Sequence, residues 1–408
     1  MVASLICNVH FVRRRRFECL LTLHLSRNCI DNVHDLVKRI PKHREIYRTL
    51  VAEIADGQYN ATQRLPSEVQ LVRRFGVSRP TAARALRDLQ NEGVVERRVG
   101  AGSFLTKGAK PSNVEASRQL GLLLPELEVS EILEVLCGEL AVLTRANDYS
   151  LLWASSAQAS HRADLTVKDA EEACQHLIDR SVRGVFFAPF EFAPDKDRVS
   201  KRTVEQLRRA GIAVVLLDRD LVPFPFRSDL DLVGIDNVMA GYMASEHLIK
   251  LGVRRIAFVA RPFSAPTVSA RVAGAREALF AAGLEPSKDF YRIGDPRDQA
   301  FVQKLTAGCK IDGIICANDF TAAQLMHSLA KGKIRVPDDI RLIGFDNLKY
   351  AELFGVPLTT VSQPLRDMAA NAMRAMLNRL ADPTLPATAL LSNPRLVVRD
   401  SCGAFIRH

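Results

Sequence analysis

A set of carboxylate, amide and guanidinium side chains marks the second half of this 408-residue chain, each at or just beyond the end of an apolar run. Carboxylate and amide oxygens accept hydrogen bonds from adjacent hydroxyl groups, and a guanidinium group donates to two acceptors. The set therefore predicts a binding site for a polyhydroxylated small molecule such as a sugar. Its members are Asp218, Arg271, Asn318, Asp319 and Asp346.

Some of these positions also have a structural interpretation. Asp236 and Asp319 stand where the carboxylate of an aspartate would cap the helix that follows. We expect the capping role for Asp236 and a ligand contact for Asp319, and both roles stay open for Asp218 and Asp346. Three aromatic residues in loops after strands could stack on the apolar face of a sugar or cover the edge of the core: Phe190, Phe224 and Phe226.

Alternating strands and amphipathic helices from Leu120 onward must position these side chains. Apolar runs such as GVFFA, VVLLD, LVGID, RIAFVA, GIICA and RLIGFD alternate with helical segments, which is typical of a parallel sheet covered by helices. Their number and order predict two doubly wound lobes. A cleft between the lobes, outside the carboxyl ends of the strands, is the expected ligand site.

Two short helices are predicted in the segment that ends at Gly93. The first begins after Ser67, whose hydroxyl can cap the helix while Gln70 reaches back, and it ends at Gly76. Ser78 is the candidate N-cap of the second. The first helix is expected to bury one apolar face: Val69, Leu71, Val72 and Phe75.

The second helix carries residue types that read DNA. Its apolar residues recur at spacings of three and four and gather on one face, while Arg84 falls on the opposite side. Ser78, Arg79 and Thr81 cluster at its N-terminus, the end that enters the major groove in helix-turn-helix proteins. An arginine there can contact guanine or phosphate.

A hairpin and an upstream helix complete the predicted unit. Val94–Arg97 and Ser103–Leu105 can pair through Gly100-Ala101-Gly102, whose glycines allow positive φ and close backbone approach. Such a wing would lie over a minor groove or phosphates. Apolar residues repeat every fourth position between Lys42 and Ala55, which predicts the first helix of a three-helix core.

The positive charge of the chain is concentrated in this unit. The formal net charge is +10, of which +8 lies between Lys38 and Lys110, while residues 111–408 sum to zero. A local basic excess is what phosphate neutralisation requires. Double-stranded DNA is therefore the expected partner of this part of the chain.

The N-terminal unit resembles the DNA-binding domain of the GntR family of bacterial regulators. PSE, FGVSRPT and the wing RRVGAGSF fall in family order. The chain departs from the family at Val69 and Val99, where the corresponding family contacts are expected to be missing or replaced. The resemblance implies these DNA-contacting and wing-shaping residues: Ser78, Arg79, Thr81, Arg84, Arg98, Gly100 and Gly102.

The remainder, from Leu120 to Asp400, resembles the effector-binding domain of the LacI/GalR regulators, which is similar to periplasmic sugar-binding proteins. The resemblance rests on VGIDNVMAGYMASEHLIKLGVRRIAFVA, SARVAGAREAL, GIICANDFTAAQL, VPDDIRLIGFDN and TTVSQP. It departs after the opening strand, where residues 127–131 replace the family's aromatic motif. The family's cleft residues correspond here to Arg271, Asn318, Asp319 and Asp346.

The two resemblances together match the AraR-like subgroup of sugar regulators. They imply a small α+β winged helix-turn-helix domain followed by an α/β, two-lobed periplasmic-binding-protein-like domain. They also imply a cytoplasmic, homodimeric repressor of carbohydrate-utilisation genes, which binds an inverted-repeat operator and responds to a sugar in the cleft. The expected boundaries are a poorly defined extension at 1–37, the winged domain at 38–106, a linker at 107–119 and the effector domain at 120–408.

Two alternatives stay open at this point: a pyridoxal-phosphate- or other metabolite-using enzyme fused to a DNA reader, and a metabolite-binding protein without a regulatory role. Against an enzyme, the sequence contains no G-x-G-x-x-G, P-loop, G-x-S-x-G or H-E-x-x-H motif. Its eight cysteines form no C-x-x-C pair, and we expect reduced core thiols rather than structural zinc. No cofactor, metal or membrane association is expected.

Overall fold

The computed structural model describes residues 42–59, 64–91, 93–98, 101–106, 118–124, 131–154, 167–307 and 311–405. The chain divides into two units, of which the first ends at Ala109 and the second begins at Lys110. The predicted N-terminal extension, most of the predicted linker, Val99, Gly100 and the departure at 127–130 lie outside the described residues.

The first unit is a three-helix core followed by a hairpin. Apolar residues from all three helices meet in its interior, among them Ile46, Leu50, Leu71, Leu86 and Leu89. The two strands pair antiparallel, with Val95 opposite Leu105. The elements are α1 (Lys42–Ala55), α2 (Glu68–Phe75), α3 (Arg79–Asn91), β1 (Val95–Arg98) and β2 (Gly102–Leu105).

The predicted capping signals of α2 are confirmed. The Gln70 amide donates to Ser67 Oγ at 3.4 Å, and the Ser67 amide donates to Gln70 Oε1 at 2.8 Å. Gly76 ends the helix in the left-handed conformation, with φ of 61°. The expectation that Val69 is buried is wrong, because its side chain is 51% exposed and Leu71 carries the buried face of α2.

The second unit contains two six-stranded sheets, one in each lobe. The sheet of the first lobe is entirely parallel, in the order β13-β7-β6-β5-β3-β4. Its strands and the helices between them are β3 (Gln119–Leu123), α4 (Glu131–Ala146), β4 (Ser150–Ala154), α5 (Val167–Asp179), β5 (Gly184–Phe187), α6 (Lys196–Arg209), β6 (Ala213–Leu217) and β7 (Asp231–Ile235), with β13 (Ala389–Ser392) at the edge.

The second lobe follows the same plan, with strand order β14-β12-β11-β10-β8-β9. All its pairs are parallel except β12 with β14. Its elements are α7 (Asn237–Lys250), β8 (Ile256–Ala260), α8 (Pro266–Ala281), β9 (Tyr291–Ile293), α9 (Gln299–Ala307), β10 (Gly313–Cys316), α10 (Asp319–Lys331), β11 (Arg341–Asp346), β12 (Thr359–Ser362) and β14 (Arg395–Val397). The predicted fold class, two doubly wound lobes after a winged helix-turn-helix unit, is confirmed.

Within the described residues of the second unit, the chain passes between the lobes three times. After β7 of the first lobe, α7 packs on α8 in the second. After β12 of the second lobe, α11 (Leu365–Ala381) returns to pack on α4 and β6 of the first. The third passage joins β13 to β14. Each lobe therefore contains elements that come after elements of the other lobe in sequence. Three segments of the chain connect the two lobes.

Among the residues that the structure describes, no helix is long and apolar enough to span a bilayer. Four cysteines lie in the described part, and each is a buried free thiol: Cys137, Cys174, Cys316 and Cys402.

Candidate functional site

A cavity lies between the two lobes, where strands of both sheets end. It encloses about 620 Å³ of empty space including its open mouth. Loops after β5 and β6 line it from the first lobe, and α8 with the loops after β8, β10 and β11 lines it from the second. The structure brings four of the five predicted effector residues to its wall: Asp218, Arg271, Asn318 and Asp346.

Arg271 is held rigidly on α8, with only 4% of the residue exposed. Its Nε donates to Asn237 Oδ1 at 2.8 Å, and its Nη1 donates to the Ala317 carbonyl oxygen at 2.6 Å. The guanidinium lies 4.5 Å from the centre of the Phe345 ring. Its orientation is therefore fixed before any ligand enters.

Two glycines bring the helix that carries Arg271 into place. A Cβ atom at Gly241 of α7 would lie 1.8 Å from the Arg271 carbonyl oxygen, and one at Gly274 of α8 would lie 1.8 Å from the Val238 carbonyl oxygen. Only residues without a Cβ allow the two backbones to approach this closely. This role was not predicted from the sequence, although both glycines stand in the motifs that carry the LacI/GalR resemblance.

Asn318 and Asp319 are neighbours in sequence but face different surroundings. Asn318 lines the cavity and caps α10, since its Oδ1 accepts from the Thr321 amide at 2.8 Å. Asp319 is fully buried and accepts from the Leu348 amide at 2.9 Å and from Thr360 Oγ1 at 2.6 Å. Contrary to the sequence-based expectation, Asp319 therefore does not reach the cavity. Instead it joins the start of α10 to β12 and to the loop after β11.

Asp218 directly follows β6 and lies in the left-handed region, with φ of 66°. This conformation is uncommon for a residue with a Cβ, and the Asp218 amide is held there by donating to the Val233 carbonyl oxygen at 2.7 Å. The residue is 7% exposed, and its Oδ1 has no hydrogen-bond partner within the described part of the chain. A buried acceptor without a donor is costly, and Asp218 lies on the cavity wall.

Two charged residues of the cavity wall, Arg219 and Glu191, were not among the effector-binding residues predicted from the sequence. Arg219 is 2% exposed, and its Nη1 lies 2.5 Å from Glu191 Oε1 while its Nε lies 3.3 Å from Asp218 Oδ2. Glu191 follows β5 and Arg219 follows β6 directly after Asp218. The rule that polar residues at strand ends form the site, applied one position further, would have found Arg219, whereas Glu191 lies four residues beyond the end of β5 and has no such signal.

Asp346 closes the cavity from the second lobe. Its Oδ1 accepts from Gln363 Nε2 at 2.8 Å. Burial raises the pKa of Asp346 well above its ordinary value, and nearby Arg271 opposes the rise. Burial also raises the pKa of Asp319 to about 7, against the opposing hydrogen bond from Thr360. The second lobe therefore carries two carboxyl groups that ionise less readily than an aspartate in water.

The remaining predicted positions have structural roles or lie elsewhere. Asp236 caps α7, since its Oδ1 accepts from the Met239 amide at 2.9 Å, as expected. Phe190 is buried and packs edge to face on Phe187. Phe224 and Phe226 are exposed and line a neighbouring pocket rather than this cavity.

Different aromatic residues line the cavity. Phe192 of the first lobe and Phe320 of the second both reach its wall. Arg261 of the second lobe lies 4.4 Å from the Phe192 ring centre and 5.6 Å from that of Phe320. The Phe192 amide also donates to the Phe263 carbonyl oxygen at 2.8 Å. These contacts join the two lobes beside the cavity.

In the first unit, the N-terminus of α3 presents the predicted DNA-reading residues. Ser78 Oγ and Thr81 Oγ1 are 2.8 Å apart. Arg84 is exposed. The side chain of Arg79 is 74% exposed, and its Nε donates to Glu68 Oε2 at 3.0 Å. Glu68, which the sequence analysis did not single out, therefore orients one of the expected DNA contacts.

The wing carries a second arginine bound to the same carboxylate. Arg97 Nη2 lies 2.5 Å from Glu68 Oε1, so Glu68 joins α2, α3 and the hairpin. Arg98 is exposed, with its guanidinium 5.1 Å from the Phe104 ring centre. Gly102 has φ of 111°, a conformation that favours glycine. Gly100, the other predicted wing-tip glycine, lies outside the described residues.

Comparisons with known proteins match both units. Residues 42–105 match the family model of bacterial regulatory proteins of the GntR family. Residues 245–402 match a periplasmic binding protein-like domain. A solved structure described as a transcriptional regulator CelR–cellobiose complex superposes with a TM-score of 0.60 at 22% sequence identity, over 80% of this chain and 91% of that one.

Two curated relatives cover different shares of the chain. The chain is 24% identical to an arabinose metabolism transcriptional repressor of Geobacillus stearothermophilus, over 89% of this chain and 98% of that protein. It is 33% identical to the repressor PurR of Vibrio campbellii, over 48% of this chain and 58% of that protein. These relatives do not favour the enzyme alternative. The chain is a transcriptional regulator in which residues 42–105 match the GntR family of bacterial regulatory proteins and residues 245–402 match a periplasmic binding protein-like domain.

Proposed function

We propose that this regulator is a sugar-responsive repressor of carbohydrate-utilisation genes that acts as a homodimer in the cytoplasm. The observation that carries the proposal is the cavity wall, where Asp218 from one lobe faces Arg271, Asn318 and Asp346 from the other. Carboxylate, amide and guanidinium groups on both sides suit a ligand with several hydroxyl groups. Relatives named for arabinose and ribose, and the cellobiose complex of CelR, support the same ligand class.

Within this proposal the cavity residues have distinct roles. Asp218, Arg271, Asn318 and Asp346 contact the effector. Asp319 supports the wall from behind, because it is fully buried and bonded to Leu348 and Thr360. This role replaces the ligand contact expected from the sequence.

The DNA-binding side of the proposal rests on α3 and the wing. Ser78, Arg79, Thr81 and Arg84 would enter a major groove, and Arg98 with Gly102 would approach the adjacent backbone. Arg79, Arg84 and Arg98 are exposed, as such contacts require. In a homodimer, two such units would meet the half-sites of an inverted-repeat operator.

The three crossings between the lobes supply a way for a ligand to change the conformation. A ligand held by both walls binds the closed arrangement of the lobes more tightly than an open one, and so shifts the population toward it. We expect that shift to alter how the two DNA-binding units of a dimer are held, and with it the operator affinity.

Genomic footprinting followed by binding to the recovered fragments tests the DNA-binding side. The expected result is a protected inverted repeat whose half-sites are one or more helical turns apart, bound with two chains per site. A protected site without two-fold symmetry, bound by one chain, would rule out the dimeric arrangement.

A further inference from the structure

Arg219 is the most deeply buried charged group on the cavity wall. A guanidinium removed from water needs partners, because its desolvation penalty is large. Arg219 has two, Glu191 at 2.5 Å and Asp218 at 3.3 Å. Its positive charge is therefore balanced within the protein, and it is not available as an anchor for a negatively charged ligand group.

Two polar atoms of this cluster lack a hydrogen-bond partner among the described residues. One is an acceptor, Asp218 Oδ1, and the other is a donor, Arg219 Nε, which is close to Asp218 Oδ2 without a hydrogen bond to it. Both residues line the cavity. A hydroxyl group can donate to the first atom and accept from the second, whereas an ionised phosphate or carboxylate group has only acceptors and leaves Asp218 Oδ1 without a donor.

The charge on the cavity wall favours the same kind of ligand. Among the described residues the wall carries three carboxyl groups, Glu191, Asp218 and Asp346, and two guanidinium groups, Arg219 and Arg271. An anionic ligand group would add a further negative charge at short range to a wall shielded from solvent. Asp218 and Asp319 already add to the effect of burial in raising the pKa of Asp346.

From these contacts we infer that the Glu191–Arg219–Asp218 cluster makes the cavity selective for uncharged, hydroxyl-bearing effectors and rejects phosphorylated or acidic sugars. Glu191 is the specificity-determining residue, because its carboxylate pairs with Arg219 Nη1 and leaves Asp218, which lies near Nε, with a free acceptor for the ligand. This inference rests on the proposed sugar-binding function and narrows it to one chemical class.

Calorimetric titration of the full chain with matched pairs tests the inference. The pairs are D-glucose with D-glucose 6-phosphate and D-glucuronate, D-galactose with D-galactose 6-phosphate and D-galacturonate, and L-arabinose with L-arabinose 1-phosphate, so that each anionic partner can keep the pyranose ring. For each neutral sugar that binds, its anionic partner should bind at least about 100-fold more weakly, as expected for one uncompensated charge in a shielded site. An anionic partner that binds as tightly as the neutral sugar overturns the inference and leaves the sugar function standing.

The variant Glu191→Gln separates the role of this carboxylate from the rest of the cavity. An uncharged amide at this position cannot neutralise Arg219, so the ratio between neutral and anionic affinities should fall by at least about tenfold. The control Glu205→Gln removes an exposed carboxylate on α6 of the same lobe and should leave the ratio unchanged. An unchanged ratio in Glu191→Gln, with neutral-sugar affinity retained, overturns the assignment to Glu191. If none of these neutral sugars or their anionic partners binds the wild-type chain while a non-carbohydrate metabolite does, the sugar function is wrong and the inference falls with it.

Discussion

Gly241 of α7 lies against Arg271 of α8 so closely that a Cβ atom added to the glycine would be 1.8 Å from the arginine carbonyl oxygen. The two helices therefore meet backbone to backbone at the residue that presents its guanidinium to the cavity. Nearby, Gly274 makes the reciprocal approach to Val238. The position of Arg271 thus depends on two residues that do not themselves line the cavity.

Gly241→Ala should separate α7 from α8 and displace Arg271. Overpacking of this kind lowers the free energy of unfolding by about 1 to 3 kcal/mol, and we expect effector affinity to fall by at least about tenfold because the cavity geometry must be held closely. Urea unfolding measures the change in stability. Calorimetric titration with a sugar that binds the wild type measures the change in affinity. Gly138→Ala is the matched control, since the space around Gly138 in α4 is open. It should raise stability by up to about 1 kcal/mol without changing affinity, and equal behaviour of the two variants would contradict the account.

Arg84→Ala tests whether the exposed face of α3 meets DNA. Removing one phosphate or base contact should weaken operator binding, and loss of a phosphate contact should reduce the slope of log affinity against log salt by about one. Fluorescence anisotropy over a salt series measures both. Arg209→Ala removes an exposed arginine of the effector domain and should change neither quantity. An Arg84 variant that matches this control would mean that α3 does not face DNA.

Glu68→Gln tests the carboxylate that holds two arginines of the DNA-binding unit. Arg79 lowers the pKa of Glu68 by hydrogen bonding, with Arg97 adding to the effect, so Glu68 is charged at neutral pH. Its loss frees both arginines and removes a negative charge, which should raise affinity for unrelated duplexes and reduce discrimination in favour of the operator. Competition binding against random-sequence DNA measures the ratio of operator affinity to affinity for unrelated DNA. A ratio equal to that of the wild type would show that Glu68 does not position these side chains.

Asp319→Asn tests the buried carboxyl behind the cavity through the pH dependence of stability. Because the pKa of Asp319 is raised to about 7 in the folded chain, the folded state holds this proton more tightly than the unfolded state. Its contribution to stability is therefore full below about pH 4 and is lost as the pH rises toward 7. Over that range the wild type should lose about 1.4 kcal/mol of this contribution for each pH unit.

The variant cannot titrate, so its free energy of unfolding should fall less than that of the wild type between pH 5 and pH 8. Urea unfolding at each pH gives the comparison. Asp197→Asn, which changes an exposed aspartate of the first lobe, should retain the wild-type slope. If Asp319→Asn also retains it, the buried carboxyl does not govern this pH range.

Local signals in the sequence predicted the N-terminal unit well. The bounds of α1 were predicted from the spacing of its apolar residues, and the cap of α2 from Ser67 and Gln70. Both signals act between residues that are close in sequence. The same reasoning placed Val69 in the core and was wrong, because the direction of an exposed face depends on which helices pack against it.

The residues of the cavity wall were only partly predicted from the sequence, because the wall depends on contacts between segments that are distant in sequence. The rule of polar residues at strand ends located Asp218, Asn318 and Asp346 at the wall. It placed Asp319 there too, but that side chain turns into the second lobe beside Gly344, where a Cβ would lie 2.2 Å from Asp319 Oδ1. The partners that fix Asp319 and Arg219 lie 41 and 28 residues away, at Thr360 and Glu191, and no local pattern indicates them.

The most direct test of the central claim is the operator affinity of the full chain with and without a sugar that binds the cavity. The account predicts that the sugar changes the affinity of the wild type by at least about tenfold. It also predicts that Arg271→Lys, which cannot reproduce the bonds to Asn237 and Ala317, binds the operator normally and does not respond. The control Arg276→Lys, at an exposed position of the same helix, should respond as the wild type does. The account is contradicted if sugars leave operator affinity and thermal stability unchanged while a non-carbohydrate metabolite shifts both.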